Sequence, residues 1–149
     1  MIIKRVEKKD LQDILDLQYL AYQSEAKLFQ NTDIPPLNQT LLDMENECKK
    51  GIILKALDES EKIIGSVRGY SDNGTTYIGK LIVHPKMQRQ GIGTKLLLEM
   101  EKEYPEQRYE LFTSSRSINN IALYERLGYR IFDEKQITDE LVFVYLEKT

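Results

Sequence analysis

The sequence predicts a single mixed α/β domain with the element order β-α-α-β-β-β-α-β-α-β-β. Short runs rich in β-branched and aromatic residues predict the strands, and apolar residues at helical spacing predict the helices between them. The length of 149 residues is typical of one domain with a substantial buried core. No internal repeat or Pro/Gly/Ser-rich linker divides residues 1–149, so one domain is expected.

The first third of the chain is predicted to form one strand and two helices. A strand is expected over residues 2–6, and Asp10 is a residue type that caps a following helix well. Helical periodicity weakens over residues 22–38, where two prolines interrupt it. A second helix is expected over residues 39–50.

The middle of the chain predicts three consecutive strands, over residues 52–57, 62–70 and 75–83. A turn that contains Asn73-Gly74 separates the last two, and this pair is the strongest short signal for a hairpin. These two strands should therefore pair antiparallel.

The last third alternates between helices and strands. A helix begins at or near Gly91, because apolar residues recur at helical spacing after it. A strand over residues 108–113, a helix around Asn120, and strands over residues 129–135 and 141–147 complete the chain. The exposed edge of the last strands is a surface on which a homodimer can form.

Composition and charge exclude several classes of function. Charged residues make up 30% of the chain and the net charge is −3, which argues against a nucleic-acid partner or a membrane-binding basic surface. No apolar run approaches the roughly 20 residues that cross a bilayer, and the chain does not open with a signal peptide, so a cytoplasmic protein is expected. The single Cys48 and single His84 are too few for the usual zinc cluster, so no metal is expected.

The turn before the Gly91 helix has the features of an anion site. The first turn of a helix carries four backbone N–H groups without helical partners, together with the positive end of the macrodipole. Gly91 and Gly93 leave those donors uncovered by side chains. A phosphate or pyrophosphate is the expected ligand, although the same glycines could serve only a tight strand-to-helix turn.

The amino-acid sequence of this turn excludes two familiar phosphate-binding motifs. The third glycine of a dinucleotide fingerprint and the Gly-Lys-Ser/Thr of a P-loop are both missing from the run Gly91-Ile92-Gly93-Thr94-Lys95. The pattern Gln/Arg-x-x-Gly-x-Gly/Ala is present instead, as Gln88-Arg89-Gln90-Gly91-Ile92-Gly93. It resembles the acyl-CoA pyrophosphate loop of the GNAT family of N-acetyltransferases.

A second segment resembles the same family's downstream signature, in which a short helix carries Asn and Tyr and ends in Leu-Gly-Phe/Tyr. It reads Asn119-Asn120-Ile121-Ala122-Leu123-Tyr124-Glu125-Arg126-Leu127-Gly128-Tyr129. Asn120 and Tyr124 share one helix face, and Gly128 suits the left-handed position that ends a helix. Tyr124 alone could equally be a core residue, but the two segments together identify the chain as a member of this family.

The resemblance implies a GNAT acyl-CoA N-acyltransferase fold, in which the strands that flank the Gly91 helix splay apart within a mixed sheet. The pantetheine arm of acetyl-CoA would lie in the opening, and a bulge near Leu81 or Ile82 would offer a backbone N–H to the thioester oxyanion. Tyr124 would protonate the departing thiolate, and Asn120 would orient the cofactor. The resemblance assigns catalysis to Tyr124 and Leu81, and acetyl-CoA binding to Leu81, Ile82, Val83, Gln88, Arg89, Gln90, Gly91, Ile92, Gly93, Thr94, Asn119, Asn120 and Tyr124.

The resemblance leaves the general base unassigned. Some relatives carry Glu or His on the strand that enters the loop, where this chain has Tyr77 and Gly79. Tyr77 acting through a water molecule is one candidate for the base. Glu25 is the other, and it could instead be a solvated surface charge.

The acceptor is expected to bind between residues 22–38 and the last hairpin, 135–141, since the family usually builds its acceptor wall there. The side chains of Tyr22, Glu25, Phe29 and Asp33 would suit a cationic amine of a small molecule or peptide. Tyr22 and Phe29 could instead simply pack under a surface loop.

Two functions remain open at this point. The leading one is an enzyme that transfers the acetyl group of acetyl-CoA to a primary amine by direct attack in a ternary complex. The rival is a non-catalytic domain of the same fold that holds CoA or a nucleotide as a sensor or interaction module. The presence of Tyr124 favours the enzyme, whereas the vacant base positions favour the rival.

Overall fold

The computed structural model describes the backbone of residues 1–29 and 35–149 and the side chains of residues 1–23 and 37–149. The described strands are β1 (Ile2–Arg5), β2 (Ile52–Leu57), β3 (Ile63–Asp72), β4 (Thr75–Val83), β5 (Arg108–Ser114), β6 (Arg130–Gln136) and β7 (Val142–Lys148). The described helices are α1 (Leu11–Phe29), α2 (Pro35–Asn38), α3 (Leu41–Lys50), α4 (Ile92–Glu103) and α5 (Ile118–Arg126). The predicted order is confirmed, with the short helix α2 added to it.

The strands form one mixed sheet in the order β1-β2-β3-β4-β5-β7-β6. All neighbouring strands are antiparallel except β4 and β5, which are parallel. The predicted hairpin between β3 and β4 is confirmed. Asn73 and Gly74 adopt φ angles of 49° and 83°, the left-handed values that a two-residue hairpin turn requires.

The parallel pairing of β4 with β5 is short. Thr75, Thr76 and Tyr77 pair with Arg108, Tyr109 and Glu110, and the register ends there. Beyond these three pairs β4 continues to Val83 and β5 to Ser114. The two strands therefore diverge in the middle of the sheet, as predicted, and a cleft opens between them.

Helices cover the two faces of the sheet. On one face α1 and α3 pack over a small cluster that consists of Leu11, Ile14, Leu15, Met44 and Ile53. On the other face α4 and α5 cover the larger core, which includes Leu96, Leu97 and Met100 of α4. A Cβ atom at Gly69 of β3 would lie 2.8 Å from the sulfur of Met100, so the absence of a side chain there lets α4 approach the sheet closely.

Asp10 does not cap α1 in the predicted way. It ends a short 3-10 turn, Lys8–Asp10, and its carboxylate accepts the backbone N–H of Glu7 at 2.7 Å. The same oxygen accepts the ammonium of Lys55 on β2 at 2.6 Å, and both side chains are nearly buried. Asp10 therefore links the start of α1 to the sheet, a role that sequence spacing could not show because Lys55 lies 45 positions away.

The second predicted helix begins two residues later than expected. Thr40 is its N-cap, since its hydroxyl accepts the N–H of Asp43 at 3.1 Å while the Asp43 carboxylate accepts the N–H of Thr40 at 3.0 Å. This reciprocal pair fixes the start of α3 at Leu41. The Pro-Pro pair that was expected only to interrupt helical structure instead begins α2, because proline is tolerated in the first turn of a helix.

β6 forms one edge of the sheet, and all seven of its residues are exposed. Exposed apolar side chains lie on this part of the sheet, among them Phe112, Ile131 and Phe132. Among the described residues, no helix is both long and apolar enough to span a bilayer.

The Asp10–Lys55 pair makes a testable contribution to stability. Burial alone would raise the pKa of the Asp10 carboxyl, but the hydrogen bonds from Lys55 and Glu7 outweigh it and hold that pKa below its usual value. A lowered folded-state pKa stabilises the fold above the unfolded pKa of about 3.9 and loses this contribution as the pH falls through the folded value. The Asp10→Asn variant should lose about 3 kcal/mol of unfolding free energy at pH 7.

The deficit of Asp10→Asn should shrink as the pH is lowered below about 4, because the unfolded wild-type chain is then protonated at Asp10 while the folded chain binds fewer protons there. Urea unfolding at pH 7 and at pH 3 measures both values. Asp13→Asn, an exposed position in the first turn of α1, is the matched control and should change stability little at either pH. An Asp10→Asn deficit that is equal at the two pH values would contradict this account.

Candidate functional site

The cleft between β4 and β5 widens into a groove of about 2020 Å³ that crosses the molecule. Its walls come from β4 and the loop after it, the start of α4, β5, α5, β7 and, at the other end, α3 and β3. Most of the residues that the sequence predicted for the site line it, namely Tyr22, Tyr77, Leu81, Ile82, Val83, Gln88, Arg89, Gly91, Ile92, Gly93, Thr94, Asn119, Asn120 and Tyr124. The structure therefore brings together two segments that are about 30 positions apart in the chain.

The start of α4 leaves backbone donors uncovered, as the sequence predicted. Gly91 is the N-cap, with φ at 79°, and it has no side chain to accept the first amides of the helix. The helical ladder begins with the N–H of Lys95 on the carbonyl of Gly91, at 3.1 Å, so the amides of Ile92, Gly93 and Thr94 precede it. Because these residues line the groove, the positive end of the helix dipole faces it.

The loop before α4 contributes further groups to this end of the groove. Gln88 and Arg89 line it, and Arg89 adopts a left-handed φ of 65° that is uncommon outside glycine. Gln90, which was predicted to contact the cofactor, is exposed and does not line the groove. Arg126 at the end of α5 does line it; this residue belongs to the second motif segment, but the sequence had assigned it no role.

Three elements meet at Gly93. A Cβ atom there would lie 3.5 Å from Leu123 of α5, 3.8 Å from Leu81 and 3.9 Å from Val83 of β4. The first turn of α4 is thus held directly against the diverging strand and against α5. This contact places the helix N-terminus at the edge of the cleft.

A β-bulge interrupts β4 inside the groove. Ser66 pairs with Ile82 and Arg68 pairs with Gly79, so Val67 of β3 lies opposite two residues, Lys80 and Leu81. Lys80 has a left-handed φ of 48°. The bulge was expected near Leu81 or Ile82; it includes Leu81, whereas Ile82 is back in register. A bulge frees backbone groups from the ladder at this point.

Tyr124 belongs both to the core and to the groove wall. Only 5% of its surface is exposed, and its ring lies 6.1 Å from that of Tyr129. It also lines the groove, as does Asn120 one helical turn earlier. The sequence left open whether Tyr124 is a core residue or a residue that faces a ligand. Its position in the structure is that of a core residue that also forms part of the groove wall.

The side chain of Tyr129, which lies beside Tyr124, is itself hydrogen-bonded to α4. Its hydroxyl donates to a carboxylate oxygen of Glu101 on α4 at 2.8 Å, and the other oxygen of Glu101 accepts Lys148 of β7 at 2.8 Å. Burial, followed by the hydrogen bond with Glu101, raises the pKa of Tyr129 far above its ordinary value. Tyr129 is therefore a neutral donor that ties α4 to the end of α5.

A buried polar network at the other end of the groove was not predicted. Arg68 of β3, 7% exposed, donates to Gln18 of α1, to Gln39 at 2.9 Å and to Glu47 of α3. The second oxygen of Glu47 accepts the ammonium of Lys80 at 2.8 Å. A chain of charged and amide groups thus runs from α1 through the sheet to the bulge.

Burial and charge shift the pKa values of this network. Burial lowers the pKa of Lys80, and it also lowers that of Arg68, despite the neighbouring Glu47 in each case. Burial alone would raise the pKa of Glu47, but the hydrogen bond from Lys80 and the charge of Arg68 hold it below its usual value. Glu47 therefore remains an anion at neutral pH and is a weak proton acceptor.

The predicted acceptor-binding residues lie partly outside the described residues. The side chains of Glu25 and Phe29, and the whole of Asp33, are not described. Tyr22 lines the groove, and so does Tyr77, whose ring stacks on Tyr70 at 5.3 Å. Tyr70 was not predicted for the site.

The groove is also lined by aromatic side chains of the sheet that the sequence had not indicated, and by one residue of the last hairpin. Phe112 of β5 packs against Phe143 of β7 at 4.9 Å and against Tyr145 at 5.4 Å, and all three line the groove. From the predicted wall at residues 135–141, Leu141 is the residue that does so.

Cys48 and His84 both make contacts that support the fold. Cys48 is half-buried and packs against the small cluster under α1 and α3. The imidazole of His84 accepts the backbone N–H of Lys86 at 3.1 Å and caps a short 3-10 turn. Among the described side chains, no group of three or more His, Cys, Asp or Glu is placed to hold a metal ion.

Comparison with known proteins identifies the family to which this chain belongs. The model of the acetyltransferase (GNAT) family matches residues 10–129. Among curated proteins, the chain is 22% identical over 95 residues to the uncharacterized N-acetyltransferase ycf52 of Pyropia yezoensis. That match includes 63% of this chain and 55% of the relative, so the chain spans about half of that protein.

Solved structures of the same fold cover the whole chain. The ribosomal-protein-S18-alanine N-acetyltransferase of Escherichia coli has a TM-score of 0.80 at 18% identity, over 99% of this chain and 92% of that one. The PaiA N-acetyltransferase of Thermoplasma acidophilum, solved in complex with coenzyme A, has a TM-score of 0.82 at 16% identity, over 99% of each chain. At these identities the likeness is one of fold.

Proposed function

The chain belongs to the acetyltransferase (GNAT) family, and on that premise we propose that it transfers the acetyl group of acetyl-CoA to a primary amine in a ternary complex. One observation carries the proposal. A single groove joins the uncovered amides at the start of α4 to the bulge in β4 and to Tyr124. These are an anion site at one end and two groups suited to acyl transfer further along it.

The diphosphate of acetyl-CoA would bind at the start of α4. The amides of Ile92, Gly93 and Thr94 supply donors, and the helix dipole adds roughly half a positive charge. Arg89 and Arg126 line the same groove and can neutralise further phosphate charge. The diphosphate is thereby anchored without a metal ion.

The pantetheine arm would run along β4 in the opening that β5 leaves. The backbone of Leu81 and Val83 borders this opening, and an amide-bearing chain can add to a free strand edge by ladder-like hydrogen bonds. The thioester then reaches the bulge. There a backbone N–H of Leu81 can donate to the oxygen that becomes negative during attack, which is worth about 3 to 4 kcal/mol for one well-placed donor.

Tyr124 would protonate the departing thiolate. A phenol with a pKa of about 10 can donate to a thiolate whose conjugate thiol has a pKa near 8.5, provided that it regains a proton afterwards. Asn120 lies one turn earlier on the same face of α5 and lines the groove, and it would orient the cofactor. The ring of Tyr129 lies beside that of Tyr124, with the ring centroids 6.1 Å apart.

The acceptor and the cellular setting are further parts of the proposal. The neighbours of the same fold carry names with different acceptors, a ribosomal-protein alanine in one and an aminoglycoside in another, so fold alone leaves the acceptor open. The acceptor would enter from the end of the groove that is lined by Tyr22, Tyr77 and the aromatic residues of β5 and β7.

We place the protein in the cytoplasm, which suits its free Cys48. We also propose that the edge strand β6 can pair with a second copy of the chain.

The rival function is a domain that binds CoA without turnover. It is favoured by β4, which offers Tyr77 and Gly79 where some relatives carry a carboxylate or an imidazole. A thiol-release assay with acetyl-CoA and a panel of amines, polyamines, amino acids and peptides separates the two. The enzyme predicts amine-dependent CoA release, whereas binding of acetyl-CoA with no release for any amine would support the rival.

Tyr124→Phe tests the proton donor. The variant should lower kcat by about 100-fold or more, because only the phenolic hydroxyl is lost, and should leave acetyl-CoA affinity nearly unchanged. Steady-state kinetics and titration calorimetry measure the two quantities. A variant with wild-type kcat would remove Tyr124 from the mechanism.

Gly91→Val tests the anion site. The branched side chain would stand beside the uncovered amides in a residue with φ at 79°, so CoA affinity should fall by at least about 100-fold. Gly74→Val is the matched control, since Gly74 has φ at 83° and open space around it but lies in the β3–β4 turn. Calorimetry with CoA should show that the control binds normally; similar losses in both variants would attribute the effect to backbone strain.

A further inference from the structure

The bulge in β4 contains a residue in a strained backbone conformation. Lys80 has a φ of 48°. Among the described residues, five non-glycine residues have a left-handed φ, and Lys80 is the one that lies inside a strand. A Cβ atom disfavours this conformation because it approaches a neighbouring carbonyl, whereas glycine adopts it readily. A strained residue of this kind persists only where its surroundings hold it.

The strain has a consequence for the peptide unit that follows Lys80, which carries the N–H of Leu81. Because a peptide unit is planar, the backbone torsion angles of Lys80 set the direction in which this N–H points. The inference rests on the proposed transferase function, in which the Leu81 N–H donates to the thioester oxyanion. A hydrogen bond weakens steeply when its donor is misdirected. Whatever keeps Lys80 left-handed therefore also aims the donor.

The side chain of Lys80 is held by an ion pair with α3. Its ammonium donates to one carboxylate oxygen of Glu47 at 2.8 Å, and the side chain is 27% exposed. The charge of Asp43, one turn earlier on α3, also acts on this ammonium. The carboxylates of Glu47 and Asp43 together balance the charges of Lys80 and Arg68. The ammonium is thus engaged by α3.

Arg68 secures the other side of Glu47. Its guanidinium donates to the second carboxylate oxygen, and Arg68 pairs across the sheet with Gly79, the residue before Lys80. Glu47 therefore bridges β3 and β4 at the bulge. The buried guanidinium also donates to Gln18 of α1 and to Gln39. The anchor of Lys80 is thereby joined to both helices that cover this face of the sheet.

We propose that Glu47 and Arg68 are positioning residues for acetyl transfer, because they hold the ammonium of Lys80 and so keep the bulge in the shape that aims the Leu81 N–H. In this role none of the three side chains touches the reacting atoms. The charge of Lys80 serves to be held and does not act on the substrate. A glycine at position 80 should then make the anchor unnecessary, since glycine adopts a left-handed φ without one.

Two substitutions that remove the same ammonium test this. Lys80→Ala keeps the Cβ atom and loses the anchor, so kcat should fall by about tenfold as the donor is misdirected. Lys80→Gly also loses the anchor but has no Cβ atom, so kcat should stay within about threefold of wild type. The assay measures thiol release with acetyl-CoA and the amine of the panel that gives the fastest release. Calorimetry should show acetyl-CoA affinity within about twofold of wild type for both variants.

A spectroscopic measurement reports the backbone without any acceptor. The three-bond coupling between the amide and Hα protons of residue 80 depends on its φ angle. In the ¹⁵N-labelled Lys80→Ala variant this coupling should rise towards the value of an extended strand residue. The wild-type protein should keep the smaller coupling of a left-handed residue. Equal couplings in the two proteins would contradict the inference.

Lys55→Ala is the matched control. Lys55 is also a lysine whose ammonium is paired with a carboxylate, at 2.6 Å from Asp10, but it lies on β2 and does not line the groove. Each kcat is expressed per CoA-binding site counted by calorimetry, so that a loss of folded protein does not lower it. By this measure Lys55→Ala should keep the wild-type kcat.

Glu47→Gln tests the anchor from its other end. The amide keeps the shape of the side chain and removes its charge, so kcat should fall in the same direction as in Lys80→Ala. In the Glu47→Gln/Lys80→Gly double variant the loss should be no larger than in Lys80→Gly alone, because the glycine no longer depends on the anchor. Losses that multiply in the double variant would show that Glu47 acts on the reaction by another route.

The outcomes distinguish this inference from the proposed function. A Lys80→Gly variant as slow as Lys80→Ala would overturn the inference, because the ammonium itself would then be required, while the transferase function stands. A wild-type kcat in Lys80→Ala would overturn it as well. Absence of CoA release with every amine of the panel would overturn the proposed function and, with it, the inference that rests on it.

Discussion

The separation of β4 from β5 is the constraint on which the rest of the molecule depends. Three residue pairs join the strands, and beyond Tyr77 and Glu110 they no longer pair with each other, although β4 stays paired with β3 and β5 with β7. Parallel strands in the interior of a sheet normally satisfy their backbone groups with each other. The divergence therefore provides both the space of the groove and an exposed strand edge inside it. The start of α4 is held against β4 and α5 at Gly93. It can face that space only because β5 diverges from β4 there.

Features that local chemistry determines could be predicted from the sequence. The Asn73-Gly74 turn, the helix start at Gly91 and the left-handed Gly128 after α5 were all predicted, because each depends on the φ values that a single residue tolerates. The bounds of β2 and β4 were also predicted correctly, since β-branched runs between turn residues specify them. The residues that the two glycine-bearing segments assigned to the site line the groove, except for Gln90.

Features that join distant parts of the chain could not be predicted. Glu47, Arg68 and Lys80 come from a helix and two strands, and in the sequence each resembles an ordinary solvated charge. The bulge position depends on a left-handed lysine that a strand pattern cannot distinguish from an extended one. Asp10 was misassigned for the same reason, because its partner Lys55 lies on another element. Buried polar networks depend on three-dimensional partners, whereas sequence patterns show only periodicity and spacing.

The start of α4 gives the groove a place that suits a polyanion. Its first backbone amides precede the helical ladder, and Arg89 and Arg126 line the same groove. The central claim is that the diphosphate of CoA binds at those amides, and NMR of the full ¹⁵N-labelled chain titrated with CoA tests it most directly. The account predicts that the largest amide shifts occur at Ile92, Gly93 and Thr94, with little change at Gly74. Saturable CoA binding that leaves the amides of Ile92, Gly93 and Thr94 unshifted would contradict it.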